Sequence, residues 1–178
     1  MTVYEFELRF SAPPGDHVVD ALYEAGWDDA LIAFDPDTGG EGWGTFRREA
    51  PSAIQAVVSA IRQGRRAEVD LLGVTEDYVS LAEIAERTGR TLAAVDHWAT
   101  GRRGAGGFPE PRVPRPRVSL YSWAEVTIWL VEHGLAAMSP ADVEIARICE
   151  VADATLRARR LQNHLAEAER EELNLAVA

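Results

Sequence analysis

The sequence predicts an α+β chain in three segments: mixed strands and helices over 1–77, short helices over 78–134, and a helical segment over 135–178. Three observations carry this. Tyr4, Phe6, Leu8 and Phe10 alternate with Glu5, Glu7 and Arg9, the period-two pattern of a half-buried strand. Ser80 and Glu83 are spaced as a helix-opening capping box, with Gly89 placed to end that helix. Ser139-Pro140 opens a third region whose apolar residues recur at mostly three- to five-residue steps. Hydrophobic residues make up 47% of the 178 positions, enough to build a packed core.

The first segment reads as strand, helix, strand, strand, helix, strand. Pro13, Pro14 and Gly15 end the opening strand. Val18, Val19, Leu22 and Tyr23 form a short helical stripe closed by Gly26. Leu31, Ile32 and Phe34 mark a second strand, residues 35–42 a hairpin loop, and residues 43–48 a third strand. Pro51 suits the first turn of a helix that places Ile54, Val57, Val58 and Ile61 on one face and stops near Gly64. Val69 and Leu71 mark a fourth strand. This βαββαβ order resembles a ferredoxin-like sandwich, two helices on one face of a four-stranded antiparallel sheet. That architecture serves many activities, so the resemblance implies a fold and no chemistry. His17 reads as a surface or capping residue. Asp35, Asp37 and Glu41 read as a solvated hairpin, since the other positions of a calcium loop are missing.

In the second segment, Leu81, Ile84 and Ala85 give the apolar face of one short helix. A second helix starts near Thr91, presents Leu92, Val95 and Trp98 inward, and ends at Gly101. Numbered from Leu81, Ala85 falls fifth, Gly89 ninth, Val95 fifteenth and Trp98 eighteenth. In a helix-turn-helix the small fifth residue lets the helices cross closely. The ninth takes a left-handed conformation that favours glycine, and the last two anchor the second helix. A glycine-rich, flexible stretch from Gly101 to Pro111 leads into an arginine-proline run from Arg112 to Val118. Ser122 and Glu125 then open a further helix with a second capping box.

Over about Val79 to Gly134 the chain resembles the winged helix-turn-helix of phage excisionases and MerR-type DNA-binding domains. The residues that carry the resemblance are Gly107-Phe-Pro-Glu-Pro111, the arginines after it, and Tyr121-Ser-Trp123-Ala-Glu-Val126 with Trp129-Leu130. The resemblance implies that the second helix enters the major groove while a wing lies along the backbone or minor groove. Double-stranded DNA is then the partner, and Arg90, Thr91, His97, Arg102, Arg103, Arg112, Arg115 and Arg117 are its contacts. Arginine suits phosphate because its planar fork pairs two oxygens at once. About five phosphate contacts give a slope of log affinity against log salt of roughly −4 to −5. The sequence departs from the pattern in the reading helix, where Leu92, Ala93 and Ala94 stand in place of Arg, Gln or Asn. Trp98, Trp123 and Trp129 sit at helical spacing with other apolar residues and read as core.

In the third segment, Ile145, Ile148, Ala152, Leu156, Leu161 and Leu165 predict one long amphipathic helix whose stripe either packs on its own chain or, the favoured use, pairs with a partner helix in a homodimer. Charge is distributed unevenly. The formal net charge is −11 and all 18 basic residues are arginine, yet seven arginines face only Asp96 and Glu110 over residues 87–117. The net charge argues against indiscriminate nucleic-acid binding, while its distribution sets one basic segment between two acidic ones. No apolar run is long enough to span a membrane, and the first residues lack a signal-peptide pattern. Cys149 is the sole cysteine, read as a buried apolar residue. Together these features predict a cytoplasmic protein without membrane partner, cofactor, metal or catalytic residues. The expected function is a transcriptional regulator or recombination accessory factor, with an effector or protein partner on the N-terminal segment. The alternative is an adaptor whose winged domain binds a protein.

Overall fold

A computed structural model describes residues 1–75, 77–102, 104–135 and 138–177. The chain is mixed α+β. It divides into two compact units, Val3–Thr75 with Val151–Ala178, and Glu76–Glu150.

The first unit begins with β1 (Thr2–Ser11), α1 (Asp16–Ala25), β2 (Ala30–Phe34), β3 (Glu41–Ala50), α2 (Ala53–Arg66) and β4 (Asp70–Val74). The strands form one antiparallel sheet in the order β2-β3-β1-β4. Ala30 pairs with Phe46 and Phe34 with Gly42; Leu8 pairs with Val74, and the β1–β4 register shifts at Arg9/Phe10. The alternation of β1 is realised residue by residue: Tyr4, Phe6, Leu8 and Phe10 are buried. Phe6 stacks on Phe46 at 4.8 Å, and Trp27 meets Phe46 edge-on at 4.9 Å. The indole N–H of Trp27 donates to the Ala60 carbonyl at 3.0 Å, so the ring is both packed and polar-satisfied. Gly44 is required here, since a Cβ on it would sit 2.7 Å from the Trp27 ring.

Buried Arg48 ties these elements together. It pairs bidentately with Asp29 at 2.6 and 2.7 Å, and donates to Ser59, Gln63 and the Gly26 carbonyl. Its guanidinium lies 4.9 Å from the Phe46 ring centroid.

The buried face of α2 keeps Val57 from the expected stripe but is otherwise shifted. Ala53, Ala56, Val57, Ala60 and Gly64 are buried, whereas Ile54 is 48% exposed. Trp27, Phe46 and Phe10 fill the core, so the helix approaches on its smallest side chains. Its N-cap is Ser52, whose hydroxyl accepts from the Gln55 N–H, leaving Pro51 before the helix.

Two further helices follow late in the chain, α6 (Pro140–Gln162) and α7 (Glu167–Val177). In the first unit, buried Asp153 accepts from the Val74 N–H at 3.1 Å and Arg160 donates to the Leu72 carbonyl at 3.0 Å. The long stripe is interrupted: Leu161 is 60% exposed, and Leu165 lies in the turn after α6. Among the described residues no helix is long and apolar enough to cross a membrane.

The second unit contains β5 (Tyr78–Val79), α3 (Leu81–Thr88), α4 (Leu92–Ala99), β6 (Tyr121–Ser122) and α5 (Trp123–Glu132). β5 and β6 pair antiparallel, Val79 opposite Tyr121. Both halves of the Ser80/Glu83 capping box form, and the Ser80 N–H and hydroxyl hold the Glu83 carboxyl below its usual range. Gly89 ends α3 with φ 63°, a left-handed conformation that turns the chain into Thr91, the N-cap of α4. Val79, Ile84, Val95, Val126, Trp129 and Leu130 make the buried centre, with Leu81 and Trp98 packed against it. Leu92 is not inward as expected. It is 53% exposed in the first turn of α4, while Val95 takes the inward position.

Candidate functional site

The residues between α4 and β6 end in a hairpin. Val113 and Leu120 exchange backbone hydrogen bonds at 3.1 and 3.0 Å, closing a loop over residues 114–119. Pro114 and Pro116 fix φ at two loop positions and remove backbone donors there, which stiffens the turn. The Ser119 hydroxyl accepts from the Arg115 N–H at 3.4 Å.

The stretch leading into this hairpin is anchored, in contrast to the flexible connection expected from its glycines. The Trp129 indole donates to the Gly106 carbonyl at 2.8 Å. Phe108 meets Trp129 and Tyr121 edge-on at 5.1 and 5.7 Å, and Trp98 lies 5.4 Å from Trp129. The tryptophans expected in the core thus act there, and Trp129 also fixes the approach to the hairpin. Burial pushes the Tyr121 hydroxyl above its usual pKa, with Glu110 and then Asp96 adding to the effect.

The candidate arginines fall into three states. Arg90, Arg115 and Arg117 are exposed and form no ion pair with a described residue. Arg102 is exposed and sits 3.5 Å from Asp96. Arg112 is held by two carboxylates, Glu125 at 2.8 Å and Glu150 at 2.9 Å. Glu125, and after it Glu150, raise the Arg112 pKa against the opposing effect of desolvation. Arg103 lies outside the described residues.

Two partners of Arg112 have further roles. The Ser122 hydroxyl accepts from the Glu125 N–H at 3.1 Å, which caps α5. The expected return bond of a second capping box is replaced. Glu125 turns to Arg112, and the Ser122 hydroxyl donates to Glu150. Glu150, on α6, was no candidate from sequence. It stands 38 residues from Arg112, and nothing in the local pattern marks it.

On α4, Thr91 spends its hydroxyl as the N-cap, accepting from the Ala94 N–H at 3.2 Å. Leu92 and Ala93 are exposed beside it, and Asp96 and His97 are half-buried one turn later. The helix start therefore presents its first backbone N–H groups, apolar side chains and the preceding Arg90. Among the described residues, no group of three His, Cys, Asp or Glu is placed to hold a metal ion. Comparison with protein-family models, curated proteins and solved structures found no match to the chain.

Proposed function

We propose that residues 78–134 form a winged helix-turn-helix that binds double-stranded DNA, as a cytoplasmic regulator or recombination accessory factor. The observation that carries this reading is the closed hairpin at Val113/Leu120, whose loop presents Arg115 and Arg117 to solvent, neither in an ion pair with a described residue. Most arginines of the described residues stand outside ion pairs, so the weight rests on placement: two exposed arginines two residues apart on one stiffened loop suit an external anion. Support also comes from the α3–Gly89–α4 turn, with its left-handed glycine and its capped second helix.

In this reading Arg115 and Arg117 grip phosphates from the wing, while Arg90 and the N-terminus of α4 approach the backbone. Arg112, braced by Glu125 and Glu150, positions the wing base. Leu92 and Ala93 face the groove, where apolar side chains meet thymine methyl groups. Weak base reading by α4 leaves a larger share of selectivity to DNA shape.

The first unit, whose strand order suits a ferredoxin-like sandwich, is then the effector or partner module. Two copies joined through α6 and α7, where Val151, Leu161 and Leu175 are exposed, would read half-sites roughly 34–36 Å apart. The second reading, a protein-binding adaptor, draws on the exposed Leu92 and on Asp96, which repels phosphate.

Fluorescence anisotropy of labelled duplex against rising salt tests the proposal. Four exposed arginines, Arg90, Arg102, Arg115 and Arg117, give an expected slope of about −3.6. A slope near zero, or no binding at low salt, rejects DNA as the partner and favours the adaptor.

A further inference from the structure

The first unit holds a second collection of arginines. A cavity of about 610 Å³ opens where the last turns of α2 and α6 come beside β4. Arg65 comes from α2, Arg159 and Arg160 from α6, and His164 and Asn163 from the turn that follows. Leu71 and Leu156, both buried, supply apolar wall, and Asp70 is the one carboxylate among the lining residues described.

Arginines near helix C-termini have an ordinary explanation, since the partial negative charge there favours cations. That accounts for each one separately. It does not account for two helix ends delivering three guanidiniums to one cavity. None of the three forms an ion pair with a described residue, which is common for this chain's arginines; their gathering at one cavity is what is unusual. Arg160 spends one N–H on the Leu72 carbonyl, which fixes its direction and leaves other donors of its fork for a ligand. Arg65 and Arg159 are exposed, and the side chain of neither is bonded to a described residue. Three arginines lining one cavity match the charge and hydrogen-bonding needs of a tetrahedral dianion. The volume exceeds that of a bare phosphate and lies in the range of small-molecule sites, about 300–1,000 Å³.

We infer that this cavity binds a small phosphomonoester, its phosphate gripped by Arg65, Arg159 and Arg160 and its uncharged body laid against Leu71 and Leu156. A nucleoside monophosphate has that chemistry. His164 and Asn163 add donors at the rim. This inference stands apart from DNA binding by the second unit and survives its failure.

Isothermal titration calorimetry on the full chain tests it with adenosine 5′-monophosphate, inorganic phosphate and adenosine. The expected result is saturable binding of the nucleotide with a Kd below about 1 mM, and none of adenosine. Replacing both exposed arginines, Arg65→Ala with Arg159→Ala, should weaken nucleotide binding by about tenfold or more. Arg62→Ala, on the same helix but outside the cavity, should leave it unchanged. Arg160 is left intact because it also holds the Leu72 carbonyl. Circular dichroism checks that the double variant folds, and Arg65→Lys with Arg159→Lys should retain partial binding. Absence of saturable binding of nucleotide or phosphate up to roughly 10 mM overturns the inference. Equal binding of adenosine and its monophosphate does so too, as does an unchanged Kd in the folded double variant.

Discussion

Replacing Arg115 and Arg117 together by alanine is the most direct perturbation of the proposed DNA contact. Both side chains project from the loop that Val113 and Leu120 close, and neither has an ion pair with a described residue. Their removal should therefore leave folding nearly untouched, with stability changed by less than about 0.5 kcal/mol in urea denaturation. Each lost phosphate contact removes about 0.9 from the salt slope, so the slope should fall from about −3.6 to about −1.8. Two charge-assisted contacts at the surface are together worth about 2–3 kcal/mol, or roughly 30- to 150-fold in Kd at low salt. The two effects are linked. The ratio of wild-type to variant affinity should itself shrink about twelvefold between 50 and 200 mM salt, because the missing contribution is the screened one. Anisotropy titrations at four salt concentrations would measure both. Parallel lines for the two proteins would refute the assignment even if the variant bound more weakly, since an electrostatic contact cannot vanish without changing the slope.

Other expectations follow from the same geometry. Glu150→Ala leaves Arg112 with Glu125 alone and should steepen the salt slope by up to about one as Arg112 becomes available; a flatter slope would show that bracing matters more than release. Arg48→Ala strands Asp29, Gln63 and the Gly26 carbonyl and should cost about 3 kcal/mol in urea denaturation, with a loss below about 1 kcal/mol counting against a buried pair. Trp129→Phe keeps the aromatic packing but removes the donor to Gly106. It should cost about 1 kcal/mol and speed hydrogen exchange across residues 104–108. Burial, and after it Asp77, pushes the Cys149 thiol from 9.0 up to about 12. The thiol binds its proton more tightly in the folded chain, so its contribution to stability is complete below pH 9 and fades as pH rises toward 12. Its alkylation rate should still be climbing at pH 10, where an ordinary thiol has levelled off.

What the sequence revealed and what it hid divide along physical lines. The alternation in β1 was readable because the strand is buried on one face only, so its chemistry repeats with its geometry. The Ser80/Glu83 cap and the turn at Gly89 were readable because both are satisfied within a few residues. The face of α2 was not. Ile54, Val57, Val58 and Ile61 suggested a stripe; Val57 is buried as expected, but Ile54 is exposed and the rest of the buried face is Ala53, Ala56, Ala60 and Gly64, because Trp27 and Phe46 occupy the space. Leu92 misled for a related reason. It keeps helical spacing with Val95, yet it stands in the first turn, at the edge of the core that Val95 enters. Ser122 and Glu125 had the spacing of a capping box, but Arg112 and Glu150 arrive from distant positions and take the carboxylate and the hydroxyl. Among the candidate site residues, exposure at Arg115 and Arg117 agreed with the composition of the loop. The engagement of Arg112 needed the fold.

The indole bond between Trp129 and Gly106 also gives this protein a spectroscopic handle. Trp129 touches Phe108, stands 5.4 Å from Trp98 and lies 4.5 Å from the His133 ring. Its N–H reports whether the Gly106 carbonyl is in place. A ligand that lifts the segment before the hairpin breaks that bond and alters the polarity around the chromophore. The change in emission on binding, compared with that of the Trp129→Phe variant, then isolates this ring among the chain's five tryptophans. Stopped-flow fluorescence could thus separate a hairpin that meets its partner rigidly from one that moves.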